Sequence, residues 1–144
     1  MKKLFLTMLS LVGLFGASAE TLTVCEGEAT NEYIPIYGYN YDVVGQYSHM
    51  IYPASMLKDM AGRTIKGVTF YANAPIAFSN GTQTLALKEV EQTSILTKVT
   101  DGTEVFNSTF AIDGDKLVIS FPDGYEYNGG NLMLITTVVA KGSY

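Results

Sequence analysis

Ser48, His49 and Asp42 supply a hydroxyl, an imidazole and a carboxylate close together in the 144-residue chain, the inventory of a hydrolytic triad. A triad works by geometry: the imidazole takes the hydroxyl proton while the carboxylate holds the ring. Neighbours such as Ser48 and His49 point to opposite faces of an extended strand, and no Gly-x-Ser-x-Gly elbow occurs. Cys25 and His49, the only cysteine and the only histidine, have no spacing that makes them a thiol–imidazole pair. One residue of each type also excludes the usual zinc frameworks. Asp101, Asp113, Asp115 and Asp123 offer oxygen ligands for calcium, but Asp113-Gly114-Asp115 reads as a hairpin turn and no twelve-residue calcium loop is present. Fourteen acidic residues could pair as a glycosidase does, yet no spacing sets two of them across a cleft. The expectation is a protein that is not an enzyme, with no catalytic residue, no metal and no cofactor.

The remaining chemistry is aromatic. Six of the ten tyrosines fall between Tyr33 and Pro53. Tyr33, Tyr37, Tyr39, Tyr41 and Tyr47 share a parity, which in extended chain gives one aromatic face. Tyr37, Tyr39, Tyr41 and Tyr47, with Tyr125 and Tyr127 from a later segment, are the candidate ligand-binding residues. Aromatic faces stack on sugar rings and anchor protein interfaces at low entropic cost. The competing reading packs the same rings into a core with their hydroxyls bonded to backbone.

These residues need a scaffold, and the pattern around them is β. The chain starts outside it. Lys2 and Lys3 precede an apolar run over residues 4–15, and Ala17-Ser18-Ala19 offers a cleavage site. This is the form of a secretory signal peptide, too short to span a membrane. Removal of Lys2 and Lys3 leaves seven basic residues against fourteen acidic ones, a net charge of −7 for residues 20–144. That charge argues against nucleic acid and anionic lipid, both of which need basic patches. A single cysteine allows no internal disulfide, so the core alone must hold the fold.

Alternation predicts strands over 20–30, 33–37, 46–52, 64–72, 82–90, 103–112, 116–121 and 131–140. Pro53 opens one short helix near 54–60, with Gly62 as its C-terminal cap. Asp113-Gly114 predicts a hairpin over 103–121. Residues 122–130 read as a loop, and 131–140, the most apolar strand, reads as central. The predicted class is all-β: an antiparallel, jelly-roll-like sandwich of about eight short strands in a single domain over 20–144.

Assembled in order, several segments resemble a known group. They are Glu26-Gly27-Glu-Ala-Thr30, Tyr33-Ile-Pro-Ile-Tyr37-Gly38 and Gln46-Tyr-Ser48-His-Met-Ile51-Tyr52-Pro53-Ala54. Later come Gly62-Arg-Thr-Ile65-Lys-Gly-Val-Thr-Phe70-Tyr71 and Tyr127-Asn-Gly129-Gly130-Asn131-Leu132. Together they resemble the N-terminal β-sandwich module of secreted, surface-associated proteins of the Bacteroides–Prevotella–Porphyromonas group. The similarity covers most of residues 23–140. It implies an extracellular module concerned with adhesion or ligand binding, often set ahead of other domains and sometimes attached to peptidases. It transfers no catalytic residue. In that group further sequence follows the Gly-Gly-Asn-Leu strand and completes the sheet, whereas Lys141-Gly-Ser-Tyr144 ends this chain. The expectation is therefore a shortened or partial module, with a sheet edge open to pairing with another chain.

Three functions follow as expectations. The first is a non-catalytic module that binds an extracellular protein or glycan at a bacterial surface. The second is an accessory domain of an extracellular hydrolase whose catalytic part lies elsewhere. The third is a fimbria-like assembly subunit that uses an open sheet edge.

Overall fold

The computed structural model describes residues 6–10, 20–24, 30–31, 33–36, 44–76 and 80–143. Cys25, Tyr37, Tyr39, Tyr41 and Asp42 lie outside these residues, as does the end of the strand expected over 20–30.

Among the described residues nine strands form two antiparallel sheets: β1 (Leu6–Ser10), β2 (Glu20–Val24), β3 (Tyr47–Tyr52), β4 (Arg63–Tyr71), β5 (Thr82–Val90), β6 (Thr103–Ser108), β7 (Ala111–Asp113), β8 (Lys116–Tyr127) and β9 (Asn131–Ala140). The first sheet has the order β2-β1-β4-β8-β7 and the second β3-β9-β5-β6. Eight of the strands lie beyond residue 19, as the sequence predicts for the sandwich. One hydrophobic core joins the sheets. Ile65, Val68, Phe70, Ile119 and Phe121 enter it from the first, and Leu85, Leu87, Leu132, Leu134 and Val138 from the second.

Strand β9 is central in its sheet, paired with β3 on one side and β5 on the other. Its even-numbered residues Leu132, Leu134, Thr136 and Val138 face the core, but Met133 and Ile135 are buried too. A strand covered on both faces reads as a near-continuous apolar run, which is what this sequence shows.

The structure changes four local expectations. The helix near 54–60 is two 3-10 turns, Ala54–Met56 and Lys58–Met60. Leu57 N–H bonds Ala54 O and Met60 N–H bonds Leu57 O, and both side chains are buried. With three residues per turn, a spacing of three stacks Leu57 and Met60 on one side of the 3-10 turns, and both join the core. Residues 33–36 are a bend and not the strand expected over 33–37.

The hairpin over 103–121 is divided between sheets. β6 pairs with β5, and only β7 pairs with β8, across the Asp113-Gly114 turn where Gly114 takes φ +62°. The crossing is at Thr109-Phe110. Phe110 is buried, its N–H donates to Gln83 Oε1, and Thr109 Oγ1 donates to Gly81 O. The core takes Phe110, so the chain has to change layers there. Finally, residues 122–127 continue strand β8 and are not loop. Their pairing with β4 shifts between Ile65 and Gly67, and a bulge of this kind accommodates Pro122.

Candidate binding face

Strand β3 is an edge strand, and its alternation separates the two residues that inventory would couple. Ser48 faces inward and its hydroxyl donates to Tyr33 O at 2.9 Å. Its cross-strand partner Thr136 donates to Pro35 O, so two adjacent hydroxyls clamp residues 33–36 and help bury Ile36. His49 lies on the outer face, with Nε2 2.8 Å from Val99 O and 3.3 Å from Val99 N. The imidazole can pair with Val99 in either tautomer. Ser48 and His49 therefore make no nucleophile–base pair. Among the described residues no three of His, Cys, Asp and Glu gather as metal ligands.

The partner of His49 belongs to the β5–β6 connection, residues 91–102, which lies over the outer face of the second sheet. Its start is held by Asn131, whose amide donates to Glu91 O and Gln92 O. Its end is held by Lys88, whose ammonium is 2.6–2.7 Å from both Asp101 carboxylate oxygens. That hydrogen bond, reinforced by the Lys88 charge, holds the Asp101 carboxyl below its ordinary value. At Gly102 the backbone comes so close that a Cβ would stand 3.1 Å from Ala86 Cβ and 3.2 Å from Ile135 Cδ1. The flap thus covers the outer face of β9 at Ile135. Lys98 completes it, with Nζ 3.4 Å from the centroid of the Tyr47 ring, a cation–π contact. Tyr47 also stacks near His49 at 6.5 Å between centroids.

The flap is polar in sequence, yet Ile95 and Leu96 project from it, Leu96 with 87 % of its surface exposed. Tyr47 keeps 39 % exposed and Val139, on the outer face of β9, 44 %. Val44 is exposed in the turn before β3, and Tyr33 is exposed where its carbonyl meets Ser48. These six are the exposed large apolar side chains among the described residues. Tyr47 and Val139 stand on the outer face of the β3–β9 pair and Ile95 and Leu96 on the flap, while Tyr33 meets the inner side of β3.

Of the tyrosines predicted to form a platform, Tyr47 lies on this face. Tyr125 and Tyr127 lie on β8 in the other sheet, Tyr125 half-buried and Tyr127 buried with its hydroxyl donating to Gly130 O. The structure does not bring these two together with Tyr47. Burial first, and the Glu89 charge second, push both phenols above their ordinary value. Burial alone does so for Tyr52. Tyr37, Tyr39 and Tyr41 lie outside the described residues. Lys98, Ile95 and Leu96 were not singled out in the sequence. An Ile-Leu pair inside the polar run 91–102 was the available signal.

Much of the resemblance-bearing sequence builds the far end of this sheet. Asn131 Oδ1 accepts from Ala54 N–H, which ties the Tyr52-Pro53-Ala54 segment to the Gly-Gly-Asn-Leu segment. Glu89 accepts from Asn128 N–H, the Asn128 amide and Gly130 N–H at 2.7–2.9 Å. Partial burial pushes the Glu89 carboxyl up, but these hydrogen bonds outweigh it and hold the group below its ordinary value. A depressed carboxyl contributes stability that is present above the ordinary value and lost as pH falls through the folded one. Glu89→Gln is expected to cost about 1–2 kcal/mol at neutral pH. The gap to the native protein should narrow as pH drops below the ordinary carboxyl value of 4.5. Denaturant melts across pH 3–7 check this, and a gap that widens in acid would contradict the assignment.

Compared with protein-family models, with curated proteins and with solved structures, the chain matches none. No helix among the described residues is long and apolar enough to cross a membrane.

Proposed function

We propose that this chain is a secreted, non-catalytic β-sandwich module that holds an extracellular protein or glycan at a bacterial surface, using the outer face of its second sheet. The exposed apolar side chains of Tyr47 and Val139 on this face, with Ile95 and Leu96 on the flap over it, carry this reading. Interfaces form where aromatic and aliphatic anchors stand together and unevenly on a surface. Tyr47 and Leu96 are the anchors, and Lys98 adds a cation beside an aromatic ring in an otherwise acidic protein. The signal-peptide pattern and the resemblance of residues 23–140 support the extracellular, bacterial setting.

The test is a screen of the purified protein against glycans and extracellular-matrix proteins. Tyr47→Ala and Leu96→Ser are then expected to weaken the captured ligand by about tenfold or more each. Ser120→Ala, at an exposed position on the opposite sheet, is expected to leave affinity unchanged. Binding that ignores Tyr47 and Leu96 but fails on changes to β8 would move the site to the first sheet and end this proposal.

A further inference from the structure

The most unusual feature of the topology is the location of β1. Leu6–Ser10 lies inside the apolar run of the leader, yet it occupies an interior position of the first sheet, antiparallel to β2 on one side and β4 on the other. The register shows what the position requires. Leu6 stands opposite Val24 and Phe70, and Met8 opposite Leu22 and Val68. Val24, Phe70 and Val68 are buried and Leu22 packs on the core, so at these two rungs the β2 and β4 side chains face the core. Thr7 stands opposite Thr23 and Thr69, and Leu9 opposite Thr21 and Gly67, on the other side.

The sequence reads this same segment as removed after Ala19. Its removal would leave β2 and β4 parallel and about 10 Å apart, two strand spacings, with no shared hydrogen bond. Both would present unpaired N–H and C=O groups over five rungs, and the core would open beside Val68 and Phe70. Among the described residues β2 pairs with no other strand, and Glu20 makes an ion pair with Arg63 of β4. A slot of this kind is a site for strand addition, in which backbone hydrogen bonds give affinity and alternate side-chain pockets give selectivity.

We infer that the gap between β2 and β4 is a docking site for one extended strand of another polypeptide, and that the leader is its placeholder. The guest runs antiparallel to β4 and spans about five residues. It places large apolar side chains at two alternate positions, the Leu6 and Met8 rungs, and small or polar ones between them. This rests on the secretion reading above for when the slot opens, but not for whether it exists.

The experiment uses the full chain, produced without export so that the leader stays, with a specific protease sequence inserted between Ala19 and Glu20. After cutting, a fluorescent peptide of residues 3–12 carrying a solubilising tail is added. It is expected to replace the severed leader. At a hundredfold excess over its Kd it should raise the melting temperature of the cut protein by roughly 5–10 °C. A peptide with Leu6→Asp and Met8→Asp is expected to bind at least tenfold more weakly. On a Cys25→Ser background, Thr69→Cys should form a disulfide with a Thr7→Cys peptide, its rung partner, and not with the same peptide in reversed sequence.

Two outcomes overturn the inference. In one, the leader leaves on cutting, the melt is unchanged and no peptide binds, which means β2 has closed on β4. In the other, the reversed or Asp-bearing peptides bind equally well, which means simple apolar adhesion. The N-terminus of the exported protein, determined separately, tests the secretion reading without touching this result.

Discussion

Phe70→Ala is expected to destabilise the protein by about 3–5 kcal/mol, the range for removing a buried aromatic ring. Phe70 is 1 % exposed on β4, opposite Leu117 of β8 and the Leu6 position of β1. The cavity would open at the middle of the first sheet, where the strands on both sides limit collapse, so the penalty belongs high in that range. The melting temperature should fall by roughly 15 °C. Urea melts with an unchanged slope would attribute the loss to the folded state. Leu96→Ala removes an equally apolar side chain, but Leu96 is 87 % exposed, and the expected effect is within about 0.5 kcal/mol. If the two substitutions cost the same, the burial pattern is wrong.

Asn131→Ala is expected to cost about 2–3 kcal/mol. One side chain accepts from Ala54 N–H at 2.9 Å and donates to Glu91 O and Gln92 O at 3.3 and 3.2 Å. Truncation orphans one donor and two acceptors at the point where the 3-10 turns, the flap and β9 meet. Asn131→Asp keeps the acceptor for Ala54 but sets a carboxylate against two carbonyl oxygens, so it should recover less than half of the loss. The flap should also come loose at its first residues. Limited proteolysis within 91–102 is expected to accelerate in both variants, while the β4–β8 amides keep their hydrogen-exchange protection. A variant with native stability and an intact flap would show that Asn131 is not the tie between these segments.

The legible part of this structure was what two-residue periodicity and turn chemistry encode locally. Strands β3, β4, β5 and β9 follow their apolar alternation almost to the residue, and Asp113-Gly114 turns where a positive φ is needed. Legibility failed where one residue's fate depended on a distant one. Residues 33–36 alternate like a strand, but hydroxyls on β3 and β9 clamp them as a bend. Residues 103–121 read as one hairpin, but the core takes Phe110 and Gln83 takes its N–H, which divides the segment between sheets. Tyrosine was the least legible type. Its body and its tip suit a core and a surface equally, so Tyr47 and Tyr127 look alike in sequence although one is exposed and the other buried.

The sequence by itself determined the all-β class, the acidic charge, the leader pattern and the absence of any internal disulfide, because each follows from composition or from spacing along the chain. Only the tertiary structure decided which face of the second sheet carries exposed apolar side chains, that the run 91–102 folds back over Ile135, and that a strand of the leader fills the position between β2 and β4. Those outcomes depend on pairing partners 50 to 64 residues apart, as in β1 with β4 and His49 with Val99. Local pattern carries no information about partners at that distance, since any apolar alternating strand can satisfy any other until the core chooses among them.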